Sequence, residues 1–389
     1  MAQFVRVGAR KRQEEEETAR SGRQPEALEH SPHSGEISGL SQIPELGTRT
    51  AAPEPDPRAP TGAESPAGAY GAAAAALLPL PDAMRRRVAD TDLDVFPLAL
   101  GTSMFGWTLG ATAAEAVLDR YRESGGNFID TADSYAAGRS EQLIGSWLRR
   151  TGSRDATVLC TKIGRNPENL GLGATGIIRA VEASLTRLQT DHIDLLTFHL
   201  DDRDVHLEES LSAVDSLIRA GAVRYLAASN FTAERLLEAR VLAANGLPRF
   251  RVLQSHYNLM HRAEYETSLA LLAGAQGLAV MPYFALANGF LAGGYRSRSM
   301  IAPDVRGMRI ASHLTRRGTR LLTVMDRIAE DFDVKLATVA LAWLQSKRNI
   351  CAPVAGVSSP EQLDAVMAAA TFRLSRADII DLDRATAGN

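Results

Sequence analysis

The feature that most constrains this chain is an alternation that begins near residue 84. Short apolar runs with β character are each followed by an amphipathic run with helical spacing. The apolar runs fall at 96–100, 127–130, 157–162, 193–198, 223–228, 251–254, 279–282 and 350–354. Helical periodicity fills 112–124, 140–149, 175–188, 207–220, 232–244, 263–276 and 336–346. Strands separated by helices cannot pair as hairpins, so they must lie parallel with the helices covering the sheet. Eight such units close a barrel, and the expected fold is α/β, a (β/α)8 TIM barrel. An open doubly wound sheet is the alternative. Residues 289–317, after the seventh strand, form the longest stretch without a period. A lid loop is expected there.

Before residue 84 the chain is rich in Pro, Gly, Ala, Ser, Glu and Arg, with no sustained period. Such a segment buries too little apolar surface to offset its ordering entropy, so residues 1–83 read as a disordered extension and 84–389 as the barrel. Met84 is expected to be the start of the folded part, and even the initiation site. The acidic run 14–17 argues against an organelle transit peptide. The apolar run 72–80 is far below the roughly 18 residues of a membrane span, so no membrane partner is expected. With 43 Lys and Arg against 46 Asp and Glu there is no basic footprint for nucleic acid. Cys160 and Cys351 form no CxxC pair, which fits a reducing, cytoplasmic setting and no structural zinc.

Active sites of such barrels lie at the C-terminal ends of the strands. There the polar residues accumulate: Asp130 ends the second strand, with Tyr135 five residues on; Lys162 ends the third and His199 the fourth. Ser229 and Asn230 end the fifth, Gln254 the sixth, and Tyr283 follows the seventh. Singly, each has a plain structural role: an Asp caps a turn, a Tyr packs, a His is satisfied in a core. Lys162 is harder to explain away, because an unpaired buried lysine is costly and this chain has only four lysines. Asp130 is its natural partner. Reducing a carbonyl needs a hydride donor and a proton donor. A tyrosine hydroxyl, of ordinary pKa near 10, is expected to be lowered toward working pH by the Lys162 ammonium. Asp130 would hold that lysine, and His199 would orient and polarise the carbonyl.

Other motifs fail on context. Gly171, Gly173 and Gly176 match GxGxxG, but residues 164–170 separate them from the preceding strand, so a loop is expected rather than a dinucleotide turn. No tyrosine has a lysine four residues on, and the histidines form no HExxH set, so no metal site is expected. No GxSxG elbow or phosphate loop occurs.

Six stretches, 127–142 (NFIDTADSYAAGRSEQ), 159–165 (LCTKIGR), 194–203 (DLLTFHLDDR), 220–232 (AGAVRYLAASNFT), 253–260 (LQSHYNLM) and 281–296 (MPYFALANGFLAGGYR), together resemble the aldo-keto reductase superfamily. The resemblance runs from about residue 84 onward. It implies NAD(P)H-dependent reduction of an aldehyde or ketone, a small-molecule carbonyl substrate, and Tyr135 as general acid completed by Asp130, Lys162 and His199. It further implies that Ser229, Asn230 and Gln254 bind the nicotinamide carboxamide and that Tyr283 stacks on the ring. Phe284, Leu286, Gly289, Leu291 and Gly293 would wrap the pyrophosphate, with Gly356, Ser358 and Gln362 near the adenosine. Pocket walls are expected from Phe105 and Trp107, Leu200 to Asp202, His256 and Tyr257, and the 289–317 loop. The chain ends soon after its last helix, so a pocket open to bulky or varied substrates is expected.

This sequence departs from the family pattern in three places. No Lys or Arg lies between Gly356 and Gln362, Val366 stands where an adenine-contacting Asn is usual, and Gly294 replaces a common Lys. NADPH is therefore expected to be preferred only shallowly, with NADH possible, and with Arg296 or Arg298 supplying the missing charge. The rival reading is a non-catalytic, nicotinamide-binding regulatory subunit on the same barrel.

Overall fold

A computed structural model of the chain describes residues 84–387. The expected extension 1–83 lies outside the described residues. Eight parallel strands form one sheet, each hydrogen-bonded to the next in chain order. They are β3 (Ala99–Gly101), β4 (Phe128–Asp130), β5 (Val158–Ile163), β6 (Ile193–Phe198), β7 (Val223–Ser229), β8 (Phe250–His256), β9 (Ala279–Tyr283) and β10 (Val354–Ala355). β10 pairs with β3, and Ile350, just before it, bridges to Val280 of β9, which closes the ring. The eighth apolar run thus divides its pairing between two neighbours around Pro353, whose carbonyl accepts from Ala99. The barrel, not the open sheet, is the fold. A short antiparallel hairpin precedes it, β1 (Arg86–Arg87) with β2 (Asp94–Val95). It was not apparent in the sequence because each arm is only two residues long. Its Val88, Leu93 and Val95 are buried in one cluster with Phe128, Val158 and Leu195, which plugs the lower end of the barrel.

Helices pack outside: α1 (Ala111–Glu123), α2 (Arg139–Thr151), α3 (Ala174–Leu188), α4 (Leu207–Arg219), α5 (Ala233–Ala244), α6 (Ala270–Gln276), α7 (Val305–Ala311), α8 (Arg316–Asp331), α9 (Leu336–Gln345), α10 (Pro360–Met367) and α11 (Arg376–Thr386). The run 263–276 is not one regular helix, because Tyr265–Leu269 forms a π turn before α6. The aperiodic stretch is also not structureless, since α7 forms within it, started by the Asp304 carboxylate accepting from Gly307 N.

Strand periodicity explains the placement of the site. Side chains alternate between the two faces of a strand. Ile129, Leu159, Leu196, Leu226, Leu253 and Val280 belong to the outer core, against the helices. Phe128, Val158, Cys160, Leu195, Ala227, Val252 and Met281 belong to the inner cluster. Continuing the inward series by two residues gives Asp130, Lys162, His199 by way of Thr197, Ser229, Gln254 and Tyr283. The polar set is therefore the top inward layer of the barrel.

Candidate active site

Lys162 and Asp130 are nearly fully buried, and Lys162 Nζ donates to Asp130 Oδ2 at 2.7 Å and to the Thr131 carbonyl at 2.8 Å. The other oxygen of Asp130 accepts from Gln254 Nε2. Burial would lower the Lys162 pKa, but Asp130, then Tyr135 and Cys160, override it and hold the ammonium above its ordinary value. The charge sits 5.0 Å from the centroid of the Tyr135 ring.

Tyr135 lies on the turn between β4 and α2. Ala136, Ala137 and Gly138 follow it with φ of 51°, 53° and 83°, and left-handed backbone at two alanines is a strained arrangement. Gly138 is required here, because a Cβ would lie 2.7 Å from Arg187 Cδ. The expectation that Lys162 lowers the Tyr135 pKa is corrected in its net sign. Burial raises it, Lys162 pulls it down, and Asp130 raises it again, leaving the hydroxyl above its ordinary value. A tyrosine so placed is protonated at neutral pH, as a proton donor must be.

His199 stands edge-on to Tyr135, ring centroids 6.1 Å apart. Burial, then Lys162 and Arg165, push its pKa down to about 3, so the ring is neutral at physiological pH. Its Nδ1 is buried without a partner. Asn230, in left-handed conformation, donates to the His199 carbonyl and to Ser229 Oγ, and accepts from Tyr283 Oη at 2.6 Å. His256 stacks between Tyr283, at 5.5 Å, and His261, at 3.7 Å.

A nicotinamide coenzyme fits these residues. Gln254 Oε1 is buried with no partner, an acceptor waiting for a donor such as a carboxamide. Phe284, Ala287, Asn288, Gly289 and Gly293 all have positive φ, so the chain turns tightly on itself here, with Ala287, Gly289 and Gly293 N–H donating to carbonyls within the loop. Leu286 is half-buried there. Leu291 is fully buried in the core, so its side chain anchors this loop. At the far end Gly356 lies against Gly101, where a Cβ would meet the Gly101 carbonyl at 3.1 Å. Ser358 N and Oγ both donate to Gln362 Oε1, so those two residues are brought together.

Two expected pocket walls are corrected. Phe105 is fully buried in the outer core, and Tyr257 is buried against Tyr265 and Trp343 with its hydroxyl on Glu266. Tyr257 sits one residue from His256 and so takes the opposite face. Trp107, Leu200 and Phe284 are exposed, Trp107 at 76 %. Trp107 adjoins the Tyr135 turn: a Cβ on its neighbour Gly106 would lie 3.7 Å from Ala136 Cβ.

Arg296 is bound to Asp326 by two hydrogen bonds, so it is committed elsewhere, while Arg298 lies on an exposed turn. Arg306, not singled out in the sequence, reaches the Gly289 loop, and its Nη1 lies 3.9 Å from Met104 Sδ, on a side chain that adjoins Gly356. Its Nε donates to the Asn288 carbonyl, and its guanidinium lies 3.3 Å from where a Gly289 Cβ would be. Sixteen residues separate it from Gly289, so no local motif marks it. The GxGxxG glycines form the start of α3, where Leu172 N and Ala174 N are taken by Asp202 and Glu209, leaving no phosphate site. Among the described residues no cluster of three or more His, Cys, Asp or Glu could hold a metal, and no helix is long and apolar enough to cross a membrane.

The model of the aldo/keto reductase family matches residues 97–387. A norsolorinic acid reductase of Emericella nidulans is 33 % identical over 74 % of this chain and 78 % of its own length. An aryl-alcohol dehydrogenase of Pestalotiopsis microspora is 30 % identical over 75 % and 78 %. A probable voltage-gated potassium channel subunit beta of Arabidopsis thaliana is 30 % identical over 73 % and 90 %.

Proposed function

The chain belongs to the aldo/keto reductase family and is an oxidoreductase, and from that membership we propose that it reduces an aldehyde or ketone with Tyr135 as the proton donor. The observation that carries the reading is the buried Asp130–Lys162 pair, aimed at the ring of a protonated tyrosine at the mouth of the barrel. The bound coenzyme supplies the hydride. Negative charge develops on the carbonyl oxygen as it is reduced, and Tyr135 delivers its proton there. The Lys162 ammonium stabilises the tyrosinate that results, and Asp130 keeps that charge fixed and desolvated. His199, neutral, donates no net charge and orients the oxygen through its ring N–H. Ser229, Asn230 and Gln254 would hold the carboxamide, Tyr283 would face the ring, and the 284–293 loop would take the pyrophosphate.

The substrate proposed is an aromatic carbonyl compound. Trp107 offers an exposed flat surface beside the Tyr135 turn, and the relative named as an aryl-alcohol dehydrogenase supports this. NADPH is proposed as the preferred coenzyme, with Arg306 as the cation, in a cytoplasmic setting that two free, buried cysteines support. The relatives named as channel subunits favour a second reading, a coenzyme-binding subunit without turnover.

A single-turnover trace of reduced-nicotinamide absorbance, with a reactive aromatic aldehyde, tests the reading. Wild type should consume coenzyme. Tyr135→Phe should bind coenzyme normally and lose about 100-fold to 10,000-fold in rate, the worth of general acid catalysis. A Phe variant with near-normal rate refutes the assignment, and an inert wild type favours the subunit reading.

A further inference from the structure

Behind the barrel wall, on the side of β5 away from Lys162, lies a second buried charge cluster. Glu141 of α2 is fully buried and accepts from Thr161 Oγ1 at 2.6 Å and from Arg187 Nε of α3 at 2.7 Å. That pair is complete. Beside it lies Asp133, 1 % exposed, with no side-chain donor on either carboxylate oxygen. Its backbone is stapled on both sides: its N–H donates to the Lys162 carbonyl at 2.9 Å, and its carbonyl accepts from Asn166 Nδ2 at 2.9 Å. Two residues further on is Tyr135, whose own N–H donates to the Ala132 carbonyl. Asp133 is thus built rigidly into the turn that presents the tyrosine, and its carboxyl and that of Glu141 share the one guanidinium of Arg187.

We propose that Asp133 is a positioning residue: kept neutral beside the Glu141–Arg187 pair, it holds the Tyr135 turn in its working shape, and its ionisation loosens that turn. The proposal rests on the reading of Tyr135 as proton donor. A buried carboxylate without a side-chain donor is costly, and protonation removes that cost. The groups that face it are Glu141 from α2 and Arg187 from α3, while Lys162 acts on it from the other face of β5. Burial, then Glu141, push the carboxyl up to about 7, against the pull of Arg187, the Ser134 N–H and Lys162. The reacting groups titrate elsewhere, since His199 is pushed down to about 3 and Tyr135 is raised above its ordinary value. An inflection near neutrality therefore belongs to a residue that never touches substrate.

The sign follows from linkage. A carboxyl whose pKa is higher in the folded than in the unfolded state loses stability as pH rises between the two values, here from 3.8 to about 7. Asp133→Asn cannot ionise and should escape that loss.

The test compares kcat/KM from about pH 5.5 to about pH 9, with denaturation midpoints measured over the same range without coenzyme. In the wild type kcat/KM should bend downward near pH 7. In Asp133→Asn it should stay level, so the variant exceeds wild type by roughly tenfold at pH 8 and matches it near pH 5.5. The gap in denaturation midpoint, in favour of the variant, should widen from about pH 5.5 to about pH 7 and stay level above that. An unchanged inflection in Asp133→Asn, or no inflection in wild type between about pH 6 and pH 8, overturns the proposal. So does a midpoint gap that ignores pH. Should Asp133→Asn not fold, Glu141→Gln removes the like charge and should move the inflection to lower pH; an unmoved inflection overturns it equally. Full turnover in Tyr135→Phe would instead bring down the reading of the tyrosine, while the midpoints would still report on Asp133.

Discussion

Replacing Lys162 by Met separates what the lysine does for the fold from what it does for turnover. The ammonium is 2.7 Å from Asp130 Oδ2 and both side chains are nearly fully buried. At an effective dielectric constant of about 20 the direct attraction is on the order of 6 kcal/mol, but much of it offsets desolvation. The variant leaves the Asp130 carboxylate with only its bond from Gln254. A carboxylate so stranded escapes by taking up a proton. From an ordinary pKa of about 3.9, that costs about 4 kcal/mol at pH 7 and about 1.5 kcal/mol at pH 5. The first figure is a ceiling on the electrostatic penalty and falls within the range of about 3–5 kcal/mol known for broken buried pairs. Lys162→Met should therefore destabilise the protein strongly at pH 7 and by about 2.5 kcal/mol less at pH 5. Neutralising the stranded carboxyl costs more as pH rises, which sets the sign. Chemical denaturation at the two pH values measures it, and adding Asp130→Asn should recover much of the loss. Turnover should be abolished at both pH values, because it depends on the ammonium and not on Asp130's charge state. Equal destabilisation at pH 5 and pH 7 would refute the argument, since it would mean the cost was one of packing.

Three further outcomes are expected. NADPH should be preferred over NADH by about 1–3 kcal/mol in kcat/KM; Arg306→Ala should erase most of that preference, whereas Arg296→Ala, whose partner is Asp326, should leave it. Trp107→Ala should raise KM for aromatic aldehydes at little cost in stability, while Tyr257→Phe should leave KM unchanged and cost about 1 kcal/mol in a denaturation curve through loss of its bond to Glu266. Because the His199 pKa is lowered from 6.5 to about 3, its share of stability is complete above pH 6.5 and is lost as pH falls toward 3; His199→Gln should flatten the acid side of the stability curve over that interval.

The barrel, and the rim on which the polar residues gather, were determined by the sequence itself. Both rest on short-range rules: helical and strand periods distinguish eight units, and the two-residue alternation of a strand carries Asp130, Lys162, Ser229 and Gln254 to the same layer. Features that depend on meetings between distant segments were decided only by the tertiary structure. The hairpin that plugs the barrel has arms of two residues, too short to carry a period. Phe105 and Tyr257 stand beside pocket residues in the chain, but the backbone turns their side chains to the other face, into the core. Arg296 has the same charge as Arg306, yet it is paired by Asp326 thirty residues away while Arg306 lies on the Gly289 loop. The sign of the Tyr135 shift follows the same logic. The neighbouring lysine was visible in the sequence, but the burial that outweighs it is created by the folded chain around the ring. Charge type is a property of a residue, whereas desolvation and pairing are properties of its surroundings.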